Sequence, residues 1–276
     1  MIYSTRVSGE PAGDLNQPDL TMVVPTYNER DRLAELVSAV FASCGSYGIG
    51  VELVIVDDNS PDGTGMVADD LARTRRIRVI HRSGKLGLGT AVMAGFEAAS
   101  APIVGVMDAD FSHPPALIPG LLATLRKTNA DLVVASRYVP GGSTPAWPFR
   151  RRALSRTACV LARPLSPIRD AASGFFLIRR DVTRGVTIKA GGFKICLEMV
   201  VRAWPRRLVE VPYRFDDREL GESKMSPREA FGYLVQLRDL YWLRWSGPAR
   251  PTREYQCLTV AGLDYLLRQD REFRPA

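Results

Sequence analysis

The stretch PIVGVMDADFSHPPALIPGLLATLRKT, residues 102–128, passes from an apolar run through two aspartates into a helix-like repeat. The apolar half reads as a buried strand and the second half as a helix. Asp108 and Asp110 alternate with Ala109, so extended backbone would turn both carboxylates to one face. Burying unpaired carboxylates is costly, so they must be neutralised or open onto a cleft. Two hard oxygen ligands suit Mg²⁺ or Mn²⁺. A capped helix start before HPPALI explains the same residues without a metal.

The unit repeats on both sides. Before it come LTMVV (20–24) and ERDRLAELVSAVFASCG (29–45), then VELVIVDD (51–58) and GTGMVADDLAR (63–73), then IRVIH (77–81) and TAVMAGFEAAS (90–100). After it comes the strand ADLVVASRY (130–138). In the first helix Leu33, Leu36, Val37, Val40 and Cys44 fall on one stripe. Alternating strands and helices, with Val/Ile/Leu strands, predict an α/β fold: a mostly parallel sheet with helices on both faces. Such sheets bind ligands beyond the carboxyl ends of their strands. Pro25 to Glu29, Asp57-Asp58, His81 to Gly89, Asp108 to Asp110 and Ser136-Arg137 all follow strand ends, so one edge collects the polar groups.

The 276 residues suffice for a sizeable core. A formal net charge of +7 favours an anionic partner or a solvated basic surface. The four cysteines, Cys44, Cys159, Cys196 and Cys257, form no C-x-x-C pair and read as thiols of a reducing compartment. The first 19 residues lack a basic segment followed by an apolar run, so no signal peptide is expected, nor any membrane-spanning helix elsewhere.

Asp57 and Asp58 open the segment DNSPDGTG, where they either orient a ribose or base or serve the turn itself. SGKLGLG (83–89) sets Lys85 among glycines that let backbone approach a phosphate. It is neither a P-loop nor a dinucleotide fingerprint, since Val92 replaces the last glycine. His81 and His113 read as loop or cap residues.

In order, VVPTYNE, VIVDDNSPDGT, KLGLGTAVMAGFEAA, MDADFSHPP, VVASRY, RDAASGFF and RELGESKMS resemble the inverting family-2 glycosyltransferases, nearest the dolichol-phosphate mannose synthase branch. The resemblance spans roughly residues 20–245. It implies the GT-A fold, a mixed sheet with a Rossmann-like nucleotide-binding half. It also implies transfer of mannose from GDP-mannose to a polyprenyl phosphate with inversion, aided by Mg²⁺ or Mn²⁺. By motif, Pro25, Tyr27, Glu29, Asp57, Lys85 and Asp108 would bind the nucleotide sugar. Asp108 and Asp110 would hold the metal, with Ser112 standing where the family usually has a glutamine ligand. Arg218 and Lys224 would close over the diphosphate, and Arg137, Arg169 and Ser173 would receive the acceptor phosphate. Asp110, Arg137, Arg218 and Lys224 are thus the groups placed at the reacting atoms. A phosphate monoester has a second pKa of about 6, so the acceptor needs positioning and charge matching more than a base.

The domain reading is a tail at 1–18, a catalytic domain at 19–225, an amphipathic helix at 226–246 and a C-terminal tail with a short helix at 247–276. In the amphipathic helix Ala230, Leu234, Leu237, Tyr241 and Trp245 make an apolar stripe, with Gly232, Gln236 and Asp239 opposite. It suits either a membrane interface or packing on the sheet. A lipid acceptor implies a protein peripheral to the cytoplasmic face of a membrane, bound directly or through a small anchoring subunit. The competing readings are transfer of glucose or N-acetylglucosamine from UDP, a nucleotidyltransferase, and a basic nucleic-acid-binding protein. The nucleotidyltransferase lacks its glycine-rich loop after the first strand. No nucleic-acid module is present, so no nucleic-acid partner is expected.

Overall fold

The computed structural model describes residues 17–188, 194–216 and 227–272, the last with side chains over 230–270. Arg218 and Lys224 lie outside the described residues, as does Ser226. The strands are β1 (Leu20–Thr26), β2 (Val51–Asp57), β3 (Ile77–His81), β4 (Ile103–Val106), β5 (Leu132–Ser136), β6 (Phe176–Arg179), β7 (Arg207–Pro212) and β8 (Glu254–Cys257). They form one sheet in the order β3-β2-β1-β4-β6-β5-β7-β8. Every neighbouring pair is parallel except those of β6, which runs antiparallel between β4 and β5. The expected mixed, mostly parallel α/β sheet is what forms.

The helices are α1 (Arg30–Gly45), α2 (Thr64–Ala72), α3 (Leu88–Ala98), α4 (Ile118–Lys127), α5 (Phe149–Ala162), α6 (Ile195–Arg202), α7 (Pro227–Ser246) and α8 (Val260–Glu272). Strand alternation divides the core. Met22 and Val24 of β1 face α1 and α4 with Leu33, Leu36, Leu121 and Leu122. Val23 turns to the opposite side, against Val92 and Phe96 of α3 and Met199 of α6. The predicted α1 stripe is buried at all five positions. Gly95 permits the closeness of α3 to β1, since a Cβ there would sit 2.3 Å from a Val23 methyl.

The chain beyond residue 246 departs from the expected tail. Its helix exists, but Glu254–Cys257 first pairs in parallel with β7 and extends the sheet. α8 then returns over α4, where Leu263 is buried against Gly120. Four residues with alternating exposure gave no hydrophobic run to announce a strand.

The 226–246 helix also needs correcting. Its buried side is Tyr233, Gln236, Leu237 and Leu240, packed against Leu197 and Val201 of α6. Leu234 and Trp245 of the expected stripe are exposed instead. Gln236, assigned to the polar face, is buried because α6 offers it partners: Glu198 at 2.9 Å and the backbone of Lys194. No described helix is long and apolar enough to cross a membrane.

Candidate active site

The carboxyl ends of β1 to β5 gather at one edge, as the strand ends predict. On the outer half, Tyr27 follows β1 and is partly exposed, with the Lys85 ammonium 4.3 Å above its ring centre. The Asn28 backbone is left-handed, which asparagine tolerates, and Glu29 donates its N–H to Thr64 Oγ1 at 3.0 Å. Pro25 stands in register with Val56. Asp57 is buried and accepts from Thr26 Oγ1, Ser60 N–H and Ser60 Oγ at 3.2, 3.0 and 2.5 Å. Turn chemistry therefore accounts for the two Ser60 bonds to Asp57, and the third reaches across from β1. Asp58 pairs with Arg82 at 2.8 Å, and Arg82 reaches on to Thr90 Oγ1 and the Gly87 carbonyl, fixing the loop that carries Lys85.

In the middle, Asp108 follows β4 and the chain turns at Ala109 and Asp110, so the two carboxylates do not share one continuous strand. Phe111 just beyond them has φ +62°, a strained value for an aromatic residue. Asp110 is buried, its Oδ1 accepting from Ser112 N–H at 3.0 Å and its carbonyl from Arg32 at 3.2 Å. The Asp108 side chain is 41% exposed, and its carboxylate accepts no hydrogen bond from a described residue. Beneath it, buried His113 accepts the Asp108 N–H on Nδ1 at 2.9 Å and stacks on Phe175. Burial lowers the His113 pKa against the opposing pull of Asp108 and Asp110, which favours the neutral ring. A Cβ on Gly174 would come within 3.6 Å of both Asp108 oxygens, so the glycine keeps that side clear. No cluster of three or more metal-ligating side chains occurs among the described residues. The pair fits a hard divalent cation that completes its shell with substrate phosphate and water.

On the inner half, Arg137 after β5 is buried and clamped to Asp170: Nε and Nη2 donate to its two oxygens at 2.7 and 2.6 Å. Although burial opposes the charge, Asp170 raises the guanidinium pKa above its ordinary value. Nη1 makes no hydrogen bond to a described residue. Aromatic rings of Trp147 and Phe215 enclose the guanidinium at 5.2 and 5.6 Å. Among the described residues the buried Trp147 Nε1 has no hydrogen-bond partner, and buried Tyr213 Oη has at most a weak one in Ser173. Ser173 is buried, with its hydroxyl tied to the Phe175 backbone. Arg169 is half-buried; its backbone N–H donates to Glu210 at 2.7 Å and its charge is felt at Tyr255. A groove of about 360 Å³ beside the carboxylates is lined by Phe111, Ser112, Leu117, Tyr213, Arg214 and Asp216.

Several residues of this edge were not singled out from the sequence. Asp170 stood unassigned inside RDAASGFF. Tyr213 follows β7, so the strand-end rule could have nominated it. Lys194, at the start of α6, has its ammonium pKa lowered by burial and by the charge of Arg137. Nothing in its local sequence signals that neighbour.

A strand-end cleft with a paired carboxylate turn on a mixed sheet defines a GT-A glycosyltransferase. Residues 21–197 match the model of glycosyl transferase family 2, and the chain belongs to that family. It is 38% identical over 248 residues to a dolichol-phosphate mannosyltransferase of Pyrococcus furiosus, covering 88% of this chain and 69% of that one. It is 40% identical over 232 residues to a polyprenol monophosphomannose synthase of Mycolicibacterium smegmatis, covering 79% and 86%. Among solved structures, glucosyl-3-phosphoglycerate synthase of Mycobacterium tuberculosis, in complex with Mn²⁺, UDP and glucosyl-3-phosphoglycerate, superposes with TM-score 0.56. That likeness, at 20% identity, covers 84% of this chain and 81% of the other.

Proposed function

We propose that the protein transfers mannose from GDP-mannose to a polyprenyl phosphate, with inversion, at the cytoplasmic face of a membrane. The observation that carries the acceptor is the set of uncommitted donors around Arg137, whose one acid, Asp170, is already engaged by two of its nitrogens. Among the described residues, the Arg137 Nη1 edge and the buried Trp147 Nε1 have no hydrogen-bond partner, and Tyr213 Oη has at most a weak one in Ser173, so the pocket calls for a ligand rich in acceptors. A dianionic phosphate supplies them. The names of the relatives, mannosyltransferases onto lipid phosphates, support the same reading.

Tyr27, Lys85 and the turn at Asp57 form the nucleotide side, with Pro25 and Glu29. Asp108 and Asp110, with Ser112 beside them, would hold a divalent cation, Mg²⁺ or Mn²⁺, against the donor diphosphate. That cation would supply charge stabilisation for the leaving group. Arg218 and Lys224 complete the reading from the sequence resemblance alone. Arg137, Arg169 and Ser173 orient the acceptor oxygen. The acceptor arrives ionised, so one displacement needs no general base, and His113 stays neutral beneath the turn.

α5 and α7 supply the membrane surface. They are joined by Tyr233 Oη to the Ala158 carbonyl and Tyr241 Oη to that of Leu161, each at 2.6 Å. Together they expose Phe149, Val160, Phe231, Trp242 and Trp245. Exposed Arg150, Arg156 and Arg163 lie on α5 and just beyond it. Such a basic, aromatic surface suits peripheral binding.

The test is turnover by purified protein with Mg²⁺ or Mn²⁺ and a short polyprenyl phosphate. GDP-mannose, UDP-glucose and UDP-N-acetylglucosamine are offered separately. Lipid-linked mannose from GDP-mannose alone, abolished by Asp110→Asn, is the expected result; transfer from a UDP-sugar instead would overturn the donor assignment.

A further inference from the structure

Away from the strand-end cleft, three arginines crowd one tryptophan. The guanidinium carbons of Arg253, Arg250 and Arg244 lie 3.3, 4.7 and 5.2 Å from the Trp204 ring centre. Trp204 precedes β7, Arg244 belongs to the last turn of α7, and Arg250 and Arg253 lie on the segment leading to β8. Trp204 is held with φ +54°, its indole N–H donating to the Pro251 carbonyl at 3.0 Å. A strained backbone thus presents the ring on which all three charges rest.

None of the three arginines is paired with an acid among the described residues. Acids near the cluster along the chain or beside Trp204 serve others: Glu198 holds Arg202, Asp239 holds Arg238 at 2.9 Å and Glu254 holds Arg207 at 3.0 Å. What the cluster has is the carboxyl end of α6. Arg253 donates to the Val200 carbonyl and to that of Leu165, and Arg250 donates to that of Val201. A helix end carries about half a negative charge, far short of three cations. Among the described residues other donors stay unspent: Arg253 Nε is buried with no partner there, and Arg244 makes no hydrogen bond there. Consistent with uncompensated crowding, burial and the neighbouring Arg250 and Arg244 bring the Arg253 pKa down to about 9.

We infer that Arg244, Arg250 and Arg253, set on Trp204, form a phosphate-binding site occupied by the headgroup of an anionic phospholipid. Guanidinium forks match phosphate oxygens, and the missing counter-charge is what such a headgroup brings. The headgroup is favoured over free phosphate because exposed Trp245 follows Arg244 at the carboxyl end of α7, where an indole ring suits the lipid boundary. The inference rests on the membrane-surface part of the function proposed above, and not on its donor or acceptor.

The experiment measures co-sedimentation of the full chain with vesicles of phosphatidylcholine, alone or mixed with phosphatidylglycerol. The variants are Arg244→Gln, Arg250→Gln and their double, with Arg76→Gln, an exposed arginine on the β2–β3 connection, as the charge-matched control. Arg253 is left intact because it also caps α6. Each site variant is expected to lose roughly fivefold in affinity for the anionic vesicles, with Arg76→Gln close to the parent. Site variants indistinguishable from Arg76→Gln overturn the proposal. Calorimetry with inorganic phosphate provides the second arm. Phosphate binding lost in Arg244→Gln while vesicle binding is unchanged overturns the headgroup assignment in favour of a free anion. Sugar transfer to a detergent-dispersed short-chain acceptor is expected unchanged in Arg244→Gln. Failure of that reaction in the parent counts against the proposed function, and the vesicle comparison still judges this site.

Discussion

Arg137 and Asp170, 33 residues apart, are joined three times: two side-chain hydrogen bonds and one from the Arg137 backbone N–H to Asp170 Oδ2 at 2.9 Å. Both residues are buried, so the pair survives only because geometry and charge are matched. Asp170→Ala strands the guanidinium and is expected to cost about 3–5 kcal/mol in denaturant unfolding. Arg137→Lys loses the fork but keeps the charge. Its KM for the lipid acceptor should rise while its KM for the nucleotide sugar holds, and equal changes in both would count against an acceptor role.

Asp108 and Asp110 are tested by metal titration as well as by turnover. Either Asn variant should lose about 10²-fold or more in transfer, as removal of a charge-stabilising group does. Weakened Mn²⁺ binding by calorimetry is the independent readout. Unaltered metal affinity in both variants would remove the carboxylate turn from the metal site.

Lys85 stands over Tyr27 in the open, where a cation–π contact contributes only about 0.5–1 kcal/mol. Lys85→Ala should therefore unfold at nearly the parent denaturant concentration. Its KM for the nucleotide sugar should rise about tenfold, the loss of one charge-assisted hydrogen bond. A stability loss without a KM change would make the lysine structural.

His113 predicts a pH dependence. Burial sets its folded pKa below the ordinary 6.5, so the unfolded chain binds the proton more readily. Its contribution to stability is present in full above pH 6.5 and is lost as pH falls toward the depressed folded value. His113→Gln, compared by denaturation across that interval, should show a shallower decline with acid than the parent. An identical slope would assign the acid sensitivity to other groups.

Phe231 and Trp242 project from α7 with 67% and 76% exposure. Replacing both by Ser should leave the unfolding transition almost unmoved and reduce partitioning onto vesicles about tenfold, as the loss of buried aromatic area implies. Strong destabilisation instead would mean that these rings pack against protein.

The legible parts of the sequence were those with local periodicity. The α1 stripe from Leu33 to Cys44 is buried as read, and the polar groups after β1 to β5 share one edge. What escaped depended on partners distant along the chain. Gln236 looked like surface because nothing near it announces Glu198, and Arg137 looked available because Asp170 lies on another segment. β8 is short and half-exposed, so its place was decided by the free edge of β7.

The reversed direction of β6 has a spatial consequence at the cleft. Two strand spacings separate β4 from β5, roughly 10 Å across the sheet edge. Because β6 starts where its neighbours end, the loop from Arg169 to Phe175 enters that interval and leaves Gly174 beside Asp108. One backward strand therefore works as a spacer gauge. It sets the carboxylate turn after β4 and the Arg137 pocket after β5 on either side of an intervening strand, where a sheet with β4 directly against β5 would bring the two side by side.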